Sequence, residues 1–296
     1  MDPKQANVLY HDWEAEQYDE KWNISYDERC ITYARERFEH IAGPGRYERA
    51  LELGSGTGFF LLNLMQAGVI ARGTVTDISP GMVTVATRNG AALGLDVDGV
   101  VADAESLEFP DDTFHVVVGH AVLHHIPDVE LALREVLRVL KPGGRFVFCG
   151  EPTQRGDVVA RALSRATWWA TSRITQLPML RERWAKTPDE LRESSAEAAL
   201  ESEVDLHTFD PDRLAAIAMR AGAIDVETKT DELTASWLGW PVRTFEAAVK
   251  PGALGWGWSM FAYKSWLALS AFDERVSSKV VPKKYFYNVS LTGVKA

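Results

Sequence analysis

The chain has 296 residues, of which 46% are hydrophobic and 25% charged; 32 Lys plus Arg face 42 Asp plus Glu, a net charge of −10. This composition is ordinary for a globular protein and excludes a disordered, collagen-like or coiled-coil chain. The acidity disfavours a generic nucleic-acid binder, which needs basic surface against phosphate.

The first 22 residues are polar and charged, without an apolar run, so no secretory leader is expected. Tyr26–Ile41 sets Ile31, Ala34, Phe38 and Ile41 at helical spacing ahead of a Gly43-Pro44 stop. Short apolar runs then alternate with helical ones. Arg49–Leu53, Ala71–Asp77, Gly99–Asp103, His115–Gly119 and Arg145–Gly150 read as strands. Phe59–Ala67, Pro80–Ala92 and Asp128–Leu140 read as helices, and Lys141-Pro142-Gly143-Gly144 reads as a turn. This alternation predicts a parallel sheet with helices on both faces.

Beyond residue 151 the rhythm breaks. Thr153–Lys186 carries seven basic residues against one Asp and one Glu, and Thr187–Asp212 carries nine acids against Arg192. Pro211–Ala221 is a helix, Ala223–Lys229 and Tyr285–Val294 are strands, and Leu233–Pro282 is aromatic-rich and helical by exclusion. The most apolar stretch, Ala253–Phe272, contains Gly255, Gly257 and Lys264 and makes a poor membrane-spanning helix. Cys30 and Cys149 are too few for a disulfide framework. A cytoplasmic location is the expectation. The whole net charge belongs to residues 1–150 (13 basic, 23 acidic), whereas eight of the ten tryptophans lie beyond residue 165.

The chemistry concentrates in Ala50-Leu51-Glu52-Leu53-Gly54-Ser55-Gly56-Thr57-Gly58-Phe59, a strand running through alternate glycines into a helix. Glycines there allow a tight turn and close approach of a ligand. Asp77, ending the next strand, suits ribose hydroxyls, and Asp103, ending the third, suits an adenine amino group. Ligands of open parallel sheets bind beyond such strand ends. A dinucleotide site shares some of this pattern. The G-x-G-x-G spacing, the second acid Asp103 and the adjacent Glu52 favour a cationic sulfonium nucleoside instead, because Glu52 would repel a pyrophosphate and suits an ammonium.

With these residues in view, the chain resembles the class I S-adenosylmethionine-dependent methyltransferases, in the branch of quinone-biosynthesis and small-molecule enzymes. The matching segments are ELGSGTG (52–58), TVTDISPGM (74–82), VVADAESLEFPDDTFHVVVGHAVLHHIPD (100–128) and LREVLRVLKPGGRF (133–146), in the family's order and spacing. The resemblance implies an α/β, Rossmann-like seven-stranded sheet of order 3-2-1-4-5-7-6 with strand 7 antiparallel, dressed with helical cap insertions. It divides the chain into an N-terminal helical lid (1–45), a cofactor-binding core (46–151), a helical cap (152–209), a core helix and strand (210–232), an aromatic-rich helical insertion (233–283) and a final strand (284–296).

It also implies S-adenosyl-L-methionine as cofactor. Gly54, Ser55 and Gly56, beside Glu52, would meet its methionine part, Asp77 its ribose, Ile78 and Met82 the faces of its adenine, and Asp103 with Ala104 the adenine edge. Tyr18 belongs to a Tyr-Asp pair like those of closing lids. His115 stands where the family usually has an acid. After strand four, His120 could line the cofactor site, and His120 and His125 are the candidate general bases, since imidazole titrates near neutrality; His124 is a weaker one. No metal is expected. Glu151 could orient an acceptor or cap the helix after Pro152. The Trp-rich segments read as cap core or acceptor-pocket lining, with membrane contact or an oligomer interface as alternatives. The expected partner is a lipophilic small-molecule acceptor, a lipid, an isoprenoid-quinone-like compound or a secondary metabolite. A cofactor-binding module without turnover, and a methylase of protein or nucleic acid, are the competing functions.

Overall fold

A computed structural model describes residues 2–22, 24–192, 194–195, 204 and 206–296. Most of the acid-rich run within 187–212 that lies between 193 and 205 is outside the described residues. The strands are β1 (Tyr47–Leu53), β2 (Ile70–Asp77), β3 (Val97–Val101), β4 (Phe114–His120), β5 (Leu140–Pro152), β6 (Ile224–Asp231) and β7 (Asn288–Val294). They form one sheet of order β3-β2-β1-β4-β5-β7-β6, as expected for a Rossmann-like methyltransferase. β1 pairs in parallel with β2 and β4, β2 with β3, and β4 with β5. β7 runs the other way: Lys295 bonds Gly143 and Gly144 at one end, while Tyr287 bonds Thr153 just before its other end.

The helices of this part are α1 (Pro3–Glu14), α2 (Tyr18–Trp22), α3 (Glu28–Ala42), α4 (Phe59–Gln66), α5 (Pro80–Ala92) and α6 (Val129–Val139). Their starts follow local chemistry. Asp27 accepts from Arg29 and Cys30 amides at α3, Ser79 from the Met82 amide at α5, and Asp128 from the Leu131 amide at α6. α6 buries Val129, Ala132, Leu133, Val136 and Leu137, an i, i+3, i+4 stripe against the sheet.

Strand alternation splits the core in two. Leu51, Leu53, Val117, Phe146 and Phe148 pack with α6 on one face. Ala50, Val116, Val118, Val147 and Cys149 pack with Phe38, Phe60, Leu61 and Leu64 on the other. Each large side chain buried this way contributes about 1.5–3 kcal/mol.

Two details differ from the sequence expectation. β3 ends at Val101, so Asp103 lies past the strand, where its Oδ1 accepts from the Glu105 amide and turns the chain. And Lys141–Gly144 sits inside β5. Phe114 pairs with Leu140 but Val116 with Arg145, so the turn signal becomes a bulge with Gly143 at φ 74°.

The chain divides into two compact units. The first holds residues 1–151, 204–229 and 289–296, and includes α9 (Pro211–Ala221); the second holds 152–203 and 230–288. The second contains α7 (Gln154–Ile174), α8 (Pro178–Trp184), α10 (Thr234–Ala248) and α11 (Trp256–Phe272). Within it α7 packs on α10 and α10 on α11, and the Lys250 amide donates to the Trp184 carbonyl at 2.9 Å. Among the described residues, no helix is long and apolar enough to cross a membrane.

Candidate functional site

The loop after β1 adopts backbone that glycine tolerates best: Gly54, Gly56 and Gly58 have φ of 53°, 50° and 90°. At Gly54 close packing adds to this, since a Cβ would lie 2.2 Å from Val122 Cγ2. The Gly56 amide donates to Asp77 Oδ2 at 2.9 Å, so β2 fastens the loop. Asp77 Oδ1 accepts from the Ser79 amide at 2.9 Å. Each Asp77 oxygen keeps further acceptor capacity. Burial raises this carboxyl above its ordinary value, opposed by nearby His11 and the amide donors.

Glu52 is buried under the same loop. Its Oε1 accepts from the Leu61 amide at 3.3 Å, while its Oε2 has no hydrogen-bond partner among the described residues. Burial holds its carboxyl well above the ordinary range, and the Asp77 charge adds to this. Ser55 Oγ is likewise buried without a hydrogen-bond partner among the described residues. An unmatched buried carboxylate oxygen and hydroxyl are costly unless a ligand meets them. A cationic amino acid group beside Glu52 and a diol beside Asp77 fit this donor and acceptor set, so the residues present suit S-adenosylmethionine.

The N-terminal helices bring Lys4, His11, Asp12 and Glu14, which sequence reasoning missed, beside the Tyr18-Asp19 pair that it noted. Lys4 Nζ lies 2.6 Å from Asp103 Oδ2 and 2.5 Å from Glu105 Oε2. Asp12 accepts from the Ser79 hydroxyl and from the Gly81 amide. His11 Nδ1 meets buried Glu14 at 2.9 Å, and Lys21 pairs with the other Glu14 oxygen. Asp19 accepts from Thr57 Oγ1 at 2.5 Å. Tyr18 Cε1 lies 3.6 Å from the place of a Gly56 Cβ, and Tyr18 packs on the cluster of Ala15, Met82 and Val85. Met82 is thus buried, whereas Ile78, Asp103 and Ala104 are half-buried. No local pattern in the sequence announces these partners.

Beyond β4, Ala121 takes φ 54°, a strained conformation for a residue with a Cβ, and its amide donates to Cys149 O at 2.8 Å. A one-turn 3-10 helix, Leu123–His125, follows. Fully buried Glu151 holds it: Oε1 accepts from the Val122 and Leu123 amides at 2.9 Å, and Oε2 from the His124 amide at 3.2 Å and from His124 Nδ1 at 2.8 Å. So Glu151 caps this turn, and the helix after Pro152 is capped by Thr153 instead.

The histidines occupy different surroundings. His120 Nε2 lies 3.3 Å from the Tyr33 hydroxyl, and its ring meets Phe59 and Phe60 at 5.4 Å. Burial pushes its pKa down to about 4, with Arg37 and His124 opposing protonation and Glu151 favouring it. His125 Nδ1 donates to the Val204 carbonyl at 3.0 Å, which assigns the proton to Nδ1 and an acceptor lone pair to Nε2. Burial, His124 and His11 hold His125 well below its ordinary value, so it is neutral. His11 faces it edge-on at 5.4 Å. His115, in the family's acid position, meets Lys141 at 3.0 Å, away from the glycine loop.

Residues 51–148 match the family model of a methyltransferase domain. The chain is 34% identical over 167 residues to demethylmenaquinone methyltransferase of Thermobifida fusca, covering 54% of this chain and 67% of that one. It is 40% identical over 113 residues to the protein of the same name from Thermus thermophilus, covering 38% and 51%. The chain thus spans about half the length of the Thermus relative. The structure of Haemonchus contortus phosphoethanolamine N-methyltransferase 2 in complex with S-adenosyl-L-methionine superposes with a TM-score of 0.54 at 15% identity, over 89% of this chain and 52% of that one. At such identity the likeness shows the fold.

Proposed function

Because the chain belongs to the class I S-adenosylmethionine-dependent methyltransferases, we propose that it methylates a lipophilic small molecule of the isoprenoid-quinone kind, working in the cytoplasm. The names of the Thermobifida and Thermus relatives support the acceptor class. The observation that carries the reading is the pair of buried carboxylates, Glu52 and Asp77, on either side of one glycine loop.

When bound, S-adenosylmethionine supplies a methyl group already activated on a sulfonium. The protein's task is alignment and exclusion of water. Glu52 and Ser55, with the Gly54 and Gly56 backbone, would hold the amino acid end, and Asp77 the ribose. Ile78 and Met82 would flank the adenine, Asp103 and Ala104 would meet its edge, and Tyr18 would cover the loop. His125 is the better candidate base. It is neutral, its tautomer is set by Val204, and its Nε2 carries the lone pair. His120, packed between Phe59 and Phe60 beside Tyr33, is better suited to positioning.

The test is methyl transfer from labelled cofactor into pools of lipid extract, RNA and protein. Label is expected in the lipid pool, and incorporation only into RNA or protein would overturn the acceptor class. His125→Ala should lower turnover with adenosylhomocysteine affinity retained, and full turnover would remove His125 as a base. A chain that binds the cofactor yet labels none of the pools would be a binding module.

A further inference from the structure

Helix α11 carries apolar residues on every side. Trp256–Phe272 reads WGWSMFAYKSWLALSAF, with Lys264 its one charge. A helix of this kind belongs inside a core or against an apolar phase. Yet none of its 17 residues is buried. One side leans on α10, where Trp258 Nε1 donates to Glu246 at 2.7 Å and the Trp258 ring lies 5.0 Å from Phe245. The other side is open: Trp256 is 78% exposed, Phe261 56%, Phe272 47% and Leu267 43%. At 100° per residue these four, with Lys264 and Ala268, fall within an arc of about 160°.

We propose that this face docks in the plane of an anionic lipid surface. Charge complementarity selects that occupant. Residues 251–288 hold Lys264, Arg275, Lys279, Lys283 and Lys284, against Glu274 and a buried Asp273, in a chain whose net charge is −10. Arg155 and Lys284 lie over the Tyr285 ring at 5.2 and 5.8 Å, so cation and aromatic are presented together. Aromatic and apolar groups enter the headgroup boundary while neighbouring cations meet anionic headgroups. A second copy of the chain is a poorer occupant. A two-fold contact on this face would bring Lys264, at the middle of the arc, against its own counterpart with no acid of α11 to offset it. The link to catalysis rests on the proposed lipophilic acceptor, whereas the docking stands on this face alone.

The experiment is co-sedimentation of the full chain with vesicles of phosphatidylcholine, alone or with about 30% phosphatidylglycerol, without cofactor or acceptor. Binding to the anionic vesicles is expected, weakening as salt is raised. Phe261→Glu with Leu267→Glu should reduce partitioning at least about tenfold, and Lys279→Glu with Lys284→Glu should abolish the preference for anionic lipid. Unchanged circular dichroism and adenosylhomocysteine affinity will show that the variants fold. The proposal is overturned by absence of binding, by equal binding to neutral vesicles, or by variants that bind as the parent does. It is also overturned if the parent ignores vesicles but is a dimer that Phe261→Glu dissociates. Because the assay contains no substrate, its failure leaves the methyl-transfer reading untouched, and failure of the labelling screen leaves the vesicle result standing.

Discussion

Lys4 and Asp103, 99 residues apart, form an ion pair in which Nζ lies 2.6 Å from Oδ2. The two side chains are 30% and 34% exposed, a setting in which such a pair is worth about 0.2–1 kcal/mol. An adenine amino group directed at Asp103 must share or displace that ammonium. Lys4→Ala is therefore expected to tighten adenosylhomocysteine binding by up to about fivefold, with the gain shrinking at high salt. Calorimetry at two ionic strengths measures it, and weaker binding would make Lys4 a clamp on the ligand rather than a competitor.

Asp77 has two duties. It is the proposed ribose partner, and it ties the Gly56 and Ser79 amides together. Asp77→Ala should weaken cofactor binding at least tenfold, about 1.4 kcal/mol or more, through loss of charge-assisted bonds. It should also lower the melting temperature of the ligand-free protein, because two amides lose their acceptor. Unchanged affinity with a lowered melting temperature would reduce Asp77 to a structural role.

What was legible in the sequence was what is local. The glycine loop and the strand–helix alternation each depend on neighbours a few residues away, and the sheet order follows from their family pattern. Contacts that close the site over long separations were not legible. Lys4 meets Asp103, Asp12 meets Ser79 and Asp19 meets Thr57 because α1 and α2 pack back onto the strand ends, and nothing in a polar helix names its partner. The end of β3 differs from its sequence reading for a related reason. Asp103 looks like a continuation of Val100–Val101 until its own carboxylate caps the turn to Glu105.

His120 makes folding sensitive to acid. Its folded pKa is pushed down to about 4, chiefly by burial, below the ordinary value of about 6.5. The unfolded chain therefore takes up the proton first as pH falls. Stability is fully present above the ordinary value, declines between about pH 6.5 and 4, and levels off below, a loss of at most about 3 kcal/mol from this group. His120→Phe keeps an aromatic ring against Phe59 and Phe60 but does not titrate, so urea melts should show a flatter profile across that window. An identical slope in both proteins would assign the acid sensitivity elsewhere.

Glu151 is the residue whose role the structure changes most. Its two oxygens accept four contacts, from the amides of Val122, Leu123 and His124 and from His124 Nδ1. A carboxylate offers about four acceptor sites, so little capacity is left to orient a methyl acceptor directly. In the proposed reaction it would act through the turn that carries His125. Glu151→Gln turns an NH2 group toward one pair of those donors whichever way the amide is placed. The cost is about 2–4 kcal/mol, a fall in melting temperature of roughly 5–10 °C. Because Gly56 and Asp77 bond each other and make no bond to Glu151, adenosylhomocysteine affinity should stay within about twofold while kcat falls, reflecting a displaced turn rather than a lost ligand contact. A variant with the lower melting temperature but full turnover would remove the Leu123–His125 turn from the acceptor side and, with it, the candidacy of His125.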